Sequence, residues 1–205
     1  MNFISDLSLS QIVTRLAGYL IVVAIHGLAL AGLANGMGDR DPAANGRLTL
    51  NPLPHVSLPG IVAAIVFTVS WMRPLPIEAH VLRGGRGGLV LLYLLSLAAV
   101  LVLVWVITPL RVWLSTLLTG TAALSVLGVL DAAQRVGIWF VLLNALPLPA
   151  LTGALLLQAA WPPVAERLPR LELPAMLIFL LVLGTGWFQT TLSPLESGLV
   201  RLLMN

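Results

Sequence analysis

The sequence predicts an all-α protein that crosses a membrane several times and forms a single membrane domain over residues 1–205. Of its 205 residues, 59% are hydrophobic and only 9% are charged, whereas an average soluble domain is about 25% charged. So few charges cannot cover a surface that faces water, but a surface that faces lipid accepts apolar side chains. The apolar residues also fall into runs, several of which approach the roughly 20 residues that a spanning helix needs.

Composition also excludes two classes of site. The chain has no Cys, so it contains neither a disulfide framework nor a thiolate metal site. All eleven basic residues are Arg, and the net charge is only +3. These arginines are scattered along the chain, whereas a nucleic-acid surface needs basic side chains clustered on one face. We therefore expect no nucleic-acid partner.

The first apolar segment runs from about residue 11 to residue 35 and contains His26. It is longer than the core of a usual signal sequence, so we expect a retained membrane helix rather than a cleaved leader. A polar, turn-rich stretch follows over residues 36–59. Within it, apolar and polar side chains alternate near residues 46–52, which predicts a short re-entrant β element. Two prolines directly after this run end it.

The remaining apolar segments bring the predicted number of membrane crossings to five or six. They cover approximately residues 60–72, 89–107, 112–130, 136–161 and 173–192. The second segment of the chain is short for a complete crossing, and prolines interrupt the fifth, which leaves two possible totals. We expect a tight turn at Pro109 and Arg111, and a polar link over residues 131–135. The last segment is predicted to be an additional C-terminal transmembrane helix.

Four of the polar residues in or beside the apolar segments stand out: His26, His55, Asn144 and Thr152. Polar groups are costly inside a bilayer, so each one is a candidate functional residue. The prolines after Asn144 also remove backbone hydrogen bonds, and unwound backbone at membrane depth persists only against protein or a wet cavity. We therefore expect residues 144–153 to line the interior of the bundle.

Several segments, taken in order, carry a resemblance to a known family. They read HGLAL at 26–30, GDRDP at 38–42, GRLTLNPLPH at 46–55, WMRPLPI at 71–77 and NALPLPALTG at 144–153. Together they resemble the bacterial branch of the site-2 protease family of intramembrane zinc metalloproteases. In that branch a helix bearing HExxH precedes GRLTLNP-like and NLxPxPPLDG-like segments. The resemblance covers about residues 15–160, and the GRLTLNP and NxxPxPxLxG patterns are its specific part.

The resemblance implies a zinc site, and the departures from the family pattern fall on that site. In the family the two His of HExxH and the Asp of LDG hold zinc, in line with the three protein ligands that a catalytic zinc needs. Here only His26 matches. Gly27 replaces the Glu that would act as general base, Leu30 replaces the second His, and Thr152 replaces the Asp. Loss of a general base alone lowers the reaction rate by a factor of about 10² to 10⁴.

These departures predict a catalytically degraded, site-2-protease-like protein of the bacterial inner membrane, crossing it several times. We expect its partners to be the lipid bilayer and either another membrane protein or a transmembrane peptide segment, and we expect no bound cofactor. An extended peptide could pair with the edge of the β element. The residues expected to bind the partner are Arg47, Leu48, Thr49, Leu50 and Asn51 in that element, with Asn144, Pro147 and Pro149.

Two interpretations of each buried histidine remain open. His26 is either a remnant metal ligand or a histidine bonded to a polar neighbour such as Thr152 or Asn144. His55 is either a substitute metal ligand or a cap on the re-entrant segment. The alternative function is accordingly an active intramembrane zinc metalloprotease that uses substitute ligands such as His55. A small transporter or channel is a third class, which requires ionisable groups along a path through several helices.

Overall fold

The apolar segments fold into helices because a helix satisfies its own backbone hydrogen bonds, which lipid cannot do. A computed structural model describes residues 7–204, and within that range the ordered elements are all helical. The α-helices are α1 Leu9–Gly36, α2 Asp41–Ala44, α3 Leu58–Phe67, α4 Gly85–Leu117, α5 Gly120–Asn144, α6 Ala154–Ala160, α7 Leu168–Gly184 and α8 Trp187–Leu203. Short 3₁₀ turns occupy Leu53–His55 and Pro162–Val164. The all-α prediction is confirmed.

Helices α1, α4 and α5 pack against one another and form the centre of the bundle. Helix α1 begins with a capping box in which Ser8 and Gln11 each accept a hydrogen bond from the other's backbone amide. Its Gly18 allows α1 and α5 to approach closely, since a Cβ there would lie 2.7 Å from the Ala133 nitrogen. Small residues at such contacts are the usual way in which membrane helices pack. The core between the three helices contains Tyr19, Val22, Leu92, Val100 and Phe140.

Three helices, α1, α4 and α5, are long and apolar enough to cross a membrane, and the total is four if α7 and α8 count as one broken span. The protein is therefore polytopic, but the predicted five or six crossings exceed what the described residues provide. The second apolar segment forms only α3, a helix of 10 residues. The residue that follows its end, Thr68, has a positive φ of 63°.

The predicted turn at Pro109 and the predicted link over residues 131–135 are both wrong. Helix α4 continues through Pro109 to Leu117, and α5 runs unbroken through residues 131–135. The charges there pair across the two helices. Arg111 of α4 lies 3.3 Å from Asp131 of α5, which also pairs with Arg135 at 2.9 Å. Charged residues that predict a loop in the sequence therefore lie within helices, because each one pairs with an opposite charge on the same or the neighbouring helix.

The predicted C-terminal span over residues 173–192 is not one continuous helix, although α7 and α8 together count as one broken span. The chain turns at Gly186, which has a φ of 73°, and α7 and α8 meet at a bend of 80°. Glycine adopts that backbone conformation without steric cost. The turn divides the apolar residues between two helices of 17 residues each.

The β element predicted near residues 46–52 is absent from the part of the chain that the structure describes. Side chains of the same segment, and not a neighbouring strand, accept hydrogen bonds from its backbone amides. The Thr49 hydroxyl accepts from the Asn51 amide at 3.0 Å, and the Asn51 side chain accepts from the Leu53 amide at 3.1 Å. The Arg47 guanidinium donates to the carbonyls of Pro54, Arg73 and Pro74. Such side-chain bonds compete with strand pairing, so the alternating pattern folds as a loop.

Candidate functional site

His26 lies in the middle of α1, fully buried, and both of its ring nitrogens have partners. Its Nδ1 lies 3.1 Å from the Ser96 carbonyl oxygen of α4, and its Nε2 lies 2.9 Å from the Thr152 hydroxyl oxygen. A carbonyl oxygen only accepts, so the neutral ring carries its hydrogen on Nδ1 and accepts at Nε2 from Thr152. The ring edge also contacts Phe140, with centroids 4.8 Å apart. The Nε2 lone pair is thus occupied by Thr152.

Asn144, the last residue of α5, holds Thr152 in place. Its Oδ1 accepts from the Thr152 amide at 3.0 Å and lies 3.1 Å from the Thr152 hydroxyl oxygen. Its Nδ2 donates to the carbonyls of Phe140 and Ser70 at 2.8 and 3.3 Å. The Thr152 hydroxyl has one proton for two acceptors, and the His26 tautomer directs it to His26. His26, Asn144 and Thr152, all singled out from the sequence, therefore form one buried network.

The loop between α5 and α6 folds back on itself and so brings Thr152 to His26. Ala150 adopts a positive φ of 71°. Gly153 packs so tightly that a Cβ there would lie 1.9 Å from the Leu146 carbonyl oxygen. Only glycine fits at that position. As the sequence predicted, the unwound segment lies against the interior, with Thr152 buried, although Pro147 is exposed.

His55 fills the space beside Gly27. A Cβ at Gly27 would lie 2.2 Å from the His55 Nδ1 and 2.4 Å from its Cγ. The His55 Nε2 lies 3.2 Å from the Thr49 carbonyl oxygen, while its Nδ1 is buried and has no hydrogen-bond partner among residues 7–204. Burial lowers the pKa of His55 and the nearby Arg47 charge adds to that effect, although the bond to the Thr49 carbonyl opposes it. The ring therefore occupies the room that a longer side chain at position 27 would need.

A cavity of about 590 Å³ opens beside Leu30 and Thr152. The segment 72–80 forms one wall, the loop and helix around Ala150–Leu155 form a second, and the start of α7 forms a third. The first wall is tied to the His55 region, because the Arg73 amide donates to the His55 carbonyl at 2.8 Å. Two of the positions at which the chain departs from the zinc-ligand pattern thus border this cavity.

The side chains at this site do not fit a three-ligand zinc centre. His26 already uses its Nε2 for Thr152, and Leu30 has no donor atom. In the part of the chain that the structure describes, no three or more His, Asp or Glu side chains are grouped so that they could hold a metal ion. His55 is the nearest further imidazole, and two imidazoles fall short of the three protein ligands of a catalytic zinc.

The residues predicted to bind a partner lie in different places. Arg47 is buried and holds its loop by three carbonyls, whereas Leu48 and Leu50 are exposed outside the cavity. Thr49 contributes its carbonyl to His55, Asn51 bonds to its own loop, and Pro147 and Pro149 do not line the cavity. Sequence reasoning missed the carboxylates that line the cavity, Glu78, Glu166 and Glu172. In the sequence these three residues are acidic side chains beside apolar segments, and in that position they look like ordinary loop charges.

One known protein is similar over most of the chain. An alignment of 179 positions, which covers 82% of this chain and 80% of the relative, gives 30% identity to "Putative zinc metalloprotease YwhC" of Bacillus subtilis (strain 168). No family model matches the chain. No solved structure matches it either.

Proposed function

Because the chain belongs to the family of site-2-protease-like integral membrane proteins to which this relative points, we propose that it has kept the scaffold of that family and lost the reaction. It acts by binding, either to a transmembrane segment of a partner or as a subunit of a larger membrane complex. Its location under this proposal is the cytoplasmic membrane of a bacterium. It needs no cofactor for that role.

The observation that carries the proposal is the hydrogen bond between His26 and Thr152, at the place where the family pattern has two zinc ligands. A threonine hydroxyl donates to the lone pair that a metal would need. Leu30 supplies no third ligand, and Gly27 supplies no general base. A site that has lost two of three ligands and its base has lost the means of activating water.

A buried network of this kind still has a structural role. It ties α1 to α4 through Ser96 and to the α5–α6 loop through Thr152 and Asn144. In the low dielectric of a membrane interior, satisfied polar networks fix the relative positions of helices. The adjoining cavity is then a preformed surface on which a partner can pack.

The alternative function, an active zinc metalloprotease, is supported by one observation. The His55 Nδ1 is buried without a hydrogen-bond partner in residues 7–204 and lies against Gly27, next to His26. The His55 Nε2 faces the Thr49 carbonyl oxygen and so carries the ring hydrogen, which leaves the Nδ1 lone pair as a potential metal ligand. It would supply a second ligand but neither a third ligand nor a base, so we rank this function second.

Zinc content separates the two functions. We expect the detergent-purified protein to contain nearly no zinc by mass spectrometry, and His26→Ala to match it. The matched positive control is the double variant Leu30→His/Thr152→Asp. Position 30 lies one helical turn from His26 on the same face. The His26 Nε2 and the side chain at position 152 are 2.9 Å apart, near the separation of about 3.4 Å that two ligands have on a tetrahedral zinc with bonds of about 2.1 Å. That variant should gain about one zinc per chain.

The opposite result is equally clear. About one zinc per wild-type chain, lost in both His26→Ala and His55→Ala, would make the chain a metalloprotein with substitute ligands. Chelator-sensitive cleavage of a generic transmembrane substrate by the wild type would then establish the protease and refute the binding proposal.

A further inference from the structure

The cavity beside Leu30 has an apolar floor and an acidic rim. Its floor includes Leu30, Met72, Ile77, Leu151, Leu155 and Leu168. All six side chains are buried among their neighbours, at no more than 6% exposure. The volume, about 590 Å³, is within the range of sites that hold a ligand of several side chains. It is too small for a complete membrane helix, so it takes one end of such a segment.

The ionisable side chains that line the cavity are three glutamates, Glu78, Glu166 and Glu172, and His80. Glu78 pairs with His80 at 3.3 Å, and both are exposed. In the described part of the chain, Glu166 and Glu172 form no ion pair. The neighbouring arginines of α7, Arg167 and Arg170, do not line the cavity. Two carboxylates that form no direct ion pair thus border an apolar space, and the charge of Arg73 acts on one of them, Glu172.

We propose that this cavity selects partner transmembrane segments that carry Lys or Arg at one end, with the apolar end of the segment over Leu30 and Leu155 and the basic side chain at Glu166 and Glu172. This inference rests on the proposed function and adds to it which transmembrane segments the protein prefers. Lys and Arg are enriched beside membrane spans. Their long stems lie along apolar surface while their charged ends reach polar groups, which matches an apolar floor below an acidic rim.

The charge also argues against a lipid as the occupant. A phospholipid with a net negative headgroup is repelled by two carboxylates, and a zwitterionic phospholipid has no net charge with which to gain from them. A basic peptide end gains from the same two groups. Charge complementarity of this type contributes more to the choice of partner than to the strength of binding.

The test uses the full-length protein in detergent and a labelled peptide of about 20 Leu and Ala residues with two Lys at one end, compared with the same peptide carrying two Gln. We expect the Lys peptide to bind about tenfold more tightly in fluorescence anisotropy, because two modest ion pairs add about that factor. The double variant Glu166→Gln/Glu172→Gln should abolish the preference. Glu196→Gln is the matched control, since Glu196 lies on α8 away from this cavity, and it should leave the preference unchanged.

Two further variants separate this inference from the proposed function. Leu155→Trp fills the floor and should weaken binding of both peptides, provided that its unfolding temperature stays near that of the wild type. Glu166→Lys/Glu172→Lys should prefer a peptide ending in two Glu. If wild type binds the Lys and Gln peptides equally, and Leu155→Trp weakens both, the charge selection is refuted while the binding function stands. If neither peptide binds the wild type, the charge selection and the binding of transmembrane segments are both refuted, and of the proposed function only the role as a subunit stands.

Discussion

The two buried histidines next to the family's zinc positions are held in opposite ways. His26 has a hydrogen-bond partner at each ring nitrogen, from α4 and from the α5–α6 loop. His55 has one partner, the Thr49 carbonyl in its own segment, and its Nδ1 faces Gly27 without any partner among residues 7–204. The first ring is fixed by a network that joins three elements, and the second by packing. A buried polar side chain can therefore persist in a membrane bundle either with all of its hydrogen-bonding groups satisfied or with one hydrogen bond and close packing.

The difference has an energetic consequence. Removing one partner of a satisfied buried pair leaves the other unsatisfied, at a cost of about 1–3 kcal/mol. Removing a group that already lacks a partner has no such cost, and can even be favourable. Substitutions at the two sites should therefore differ in size, and the predictions below run from the largest effect to the smallest.

Asn144→Leu should have the largest effect, lowering the free energy of unfolding by about 3 kcal/mol. It leaves the Thr152 amide without its acceptor and removes the donor to the Ser70 carbonyl, so several buried groups lose partners at once. Denaturant titration in detergent measures the change. Asn45→Leu, at an exposed position, is the matched control and should stay within about 0.5 kcal/mol. Equal effects at the two asparagines would show that the network contributes no stability.

Gly27→Ala should lower the free energy of unfolding by about 2 kcal/mol, since the new Cβ would lie 2.2 Å from the His55 ring and overpacking typically costs about 1–3 kcal/mol. Gly32→Ala in the same helix meets only the Leu48 side chain at 3.7 Å and should be neutral or stabilising by up to about 1 kcal/mol. Adding His55→Ala to Gly27→Ala should relieve the overpacking. A double-mutant cycle without coupling would contradict this close contact.

His26→Met and His55→Met compare the two rings directly with a side chain that adapts to irregular space. We expect His26→Met to cost about 2 kcal/mol and His55→Met less than about 1 kcal/mol, because only the first substitution breaks satisfied bonds at both ring nitrogens. Thermal unfolding of both variants in one detergent gives the comparison. The reverse order would mean that a bound ligand or water supplies the missing hydrogen-bond partner of the His55 Nδ1.

Acidification should give the smallest effect, and it concerns His55. Its pKa in the folded protein lies below the ordinary value of 6.5, chiefly because of burial, so the unfolded chain binds a proton more readily than the folded one. The stability that this neutral ring contributes is complete above pH 6.5 and falls as the pH drops below it. The difference between wild type and His55→Met should therefore shrink between pH 7.5 and pH 5.5. A constant difference would show that His55 does not titrate on unfolding.

The sequence was a good guide where the information is local or ordered along the chain. Apolar runs predicted a helical membrane protein, and the order of the motifs predicted that His26 would meet Thr152 or Asn144. Thr152 bonds to His26 although 126 positions separate them, and Asn144 joins the network through Thr152. Such an arrangement follows from the scaffold of a family, which one motif alone does not specify.

The errors arose where the sequence pattern does not show which hydrogen-bond or ion-pair partner a side chain takes in the fold. Asp131 resembles a loop residue until Arg111 of the neighbouring helix pairs with it. The alternation near residues 46–52 resembles a strand until Thr49 and Asn51 bind the backbone of their own loop. The packing of His55 into the space beside Gly27 joins positions 28 apart, and only the folded chain shows it.

Helix α4 has one further consequence, which concerns the thickness of the bilayer. Its 33 residues give a length of about 50 Å at 1.5 Å per residue, against a hydrocarbon layer of about 30 Å. Even a tilt of 40°, the upper end of the usual range, leaves a rise of about 38 Å, so the helix must end among the headgroups. Trp113, 59% exposed near that end, is the type of side chain that anchors at the headgroup level. The helix is thus longer than the hydrocarbon layer, and its two arginines, Arg86 and Arg111, lie toward its two ends.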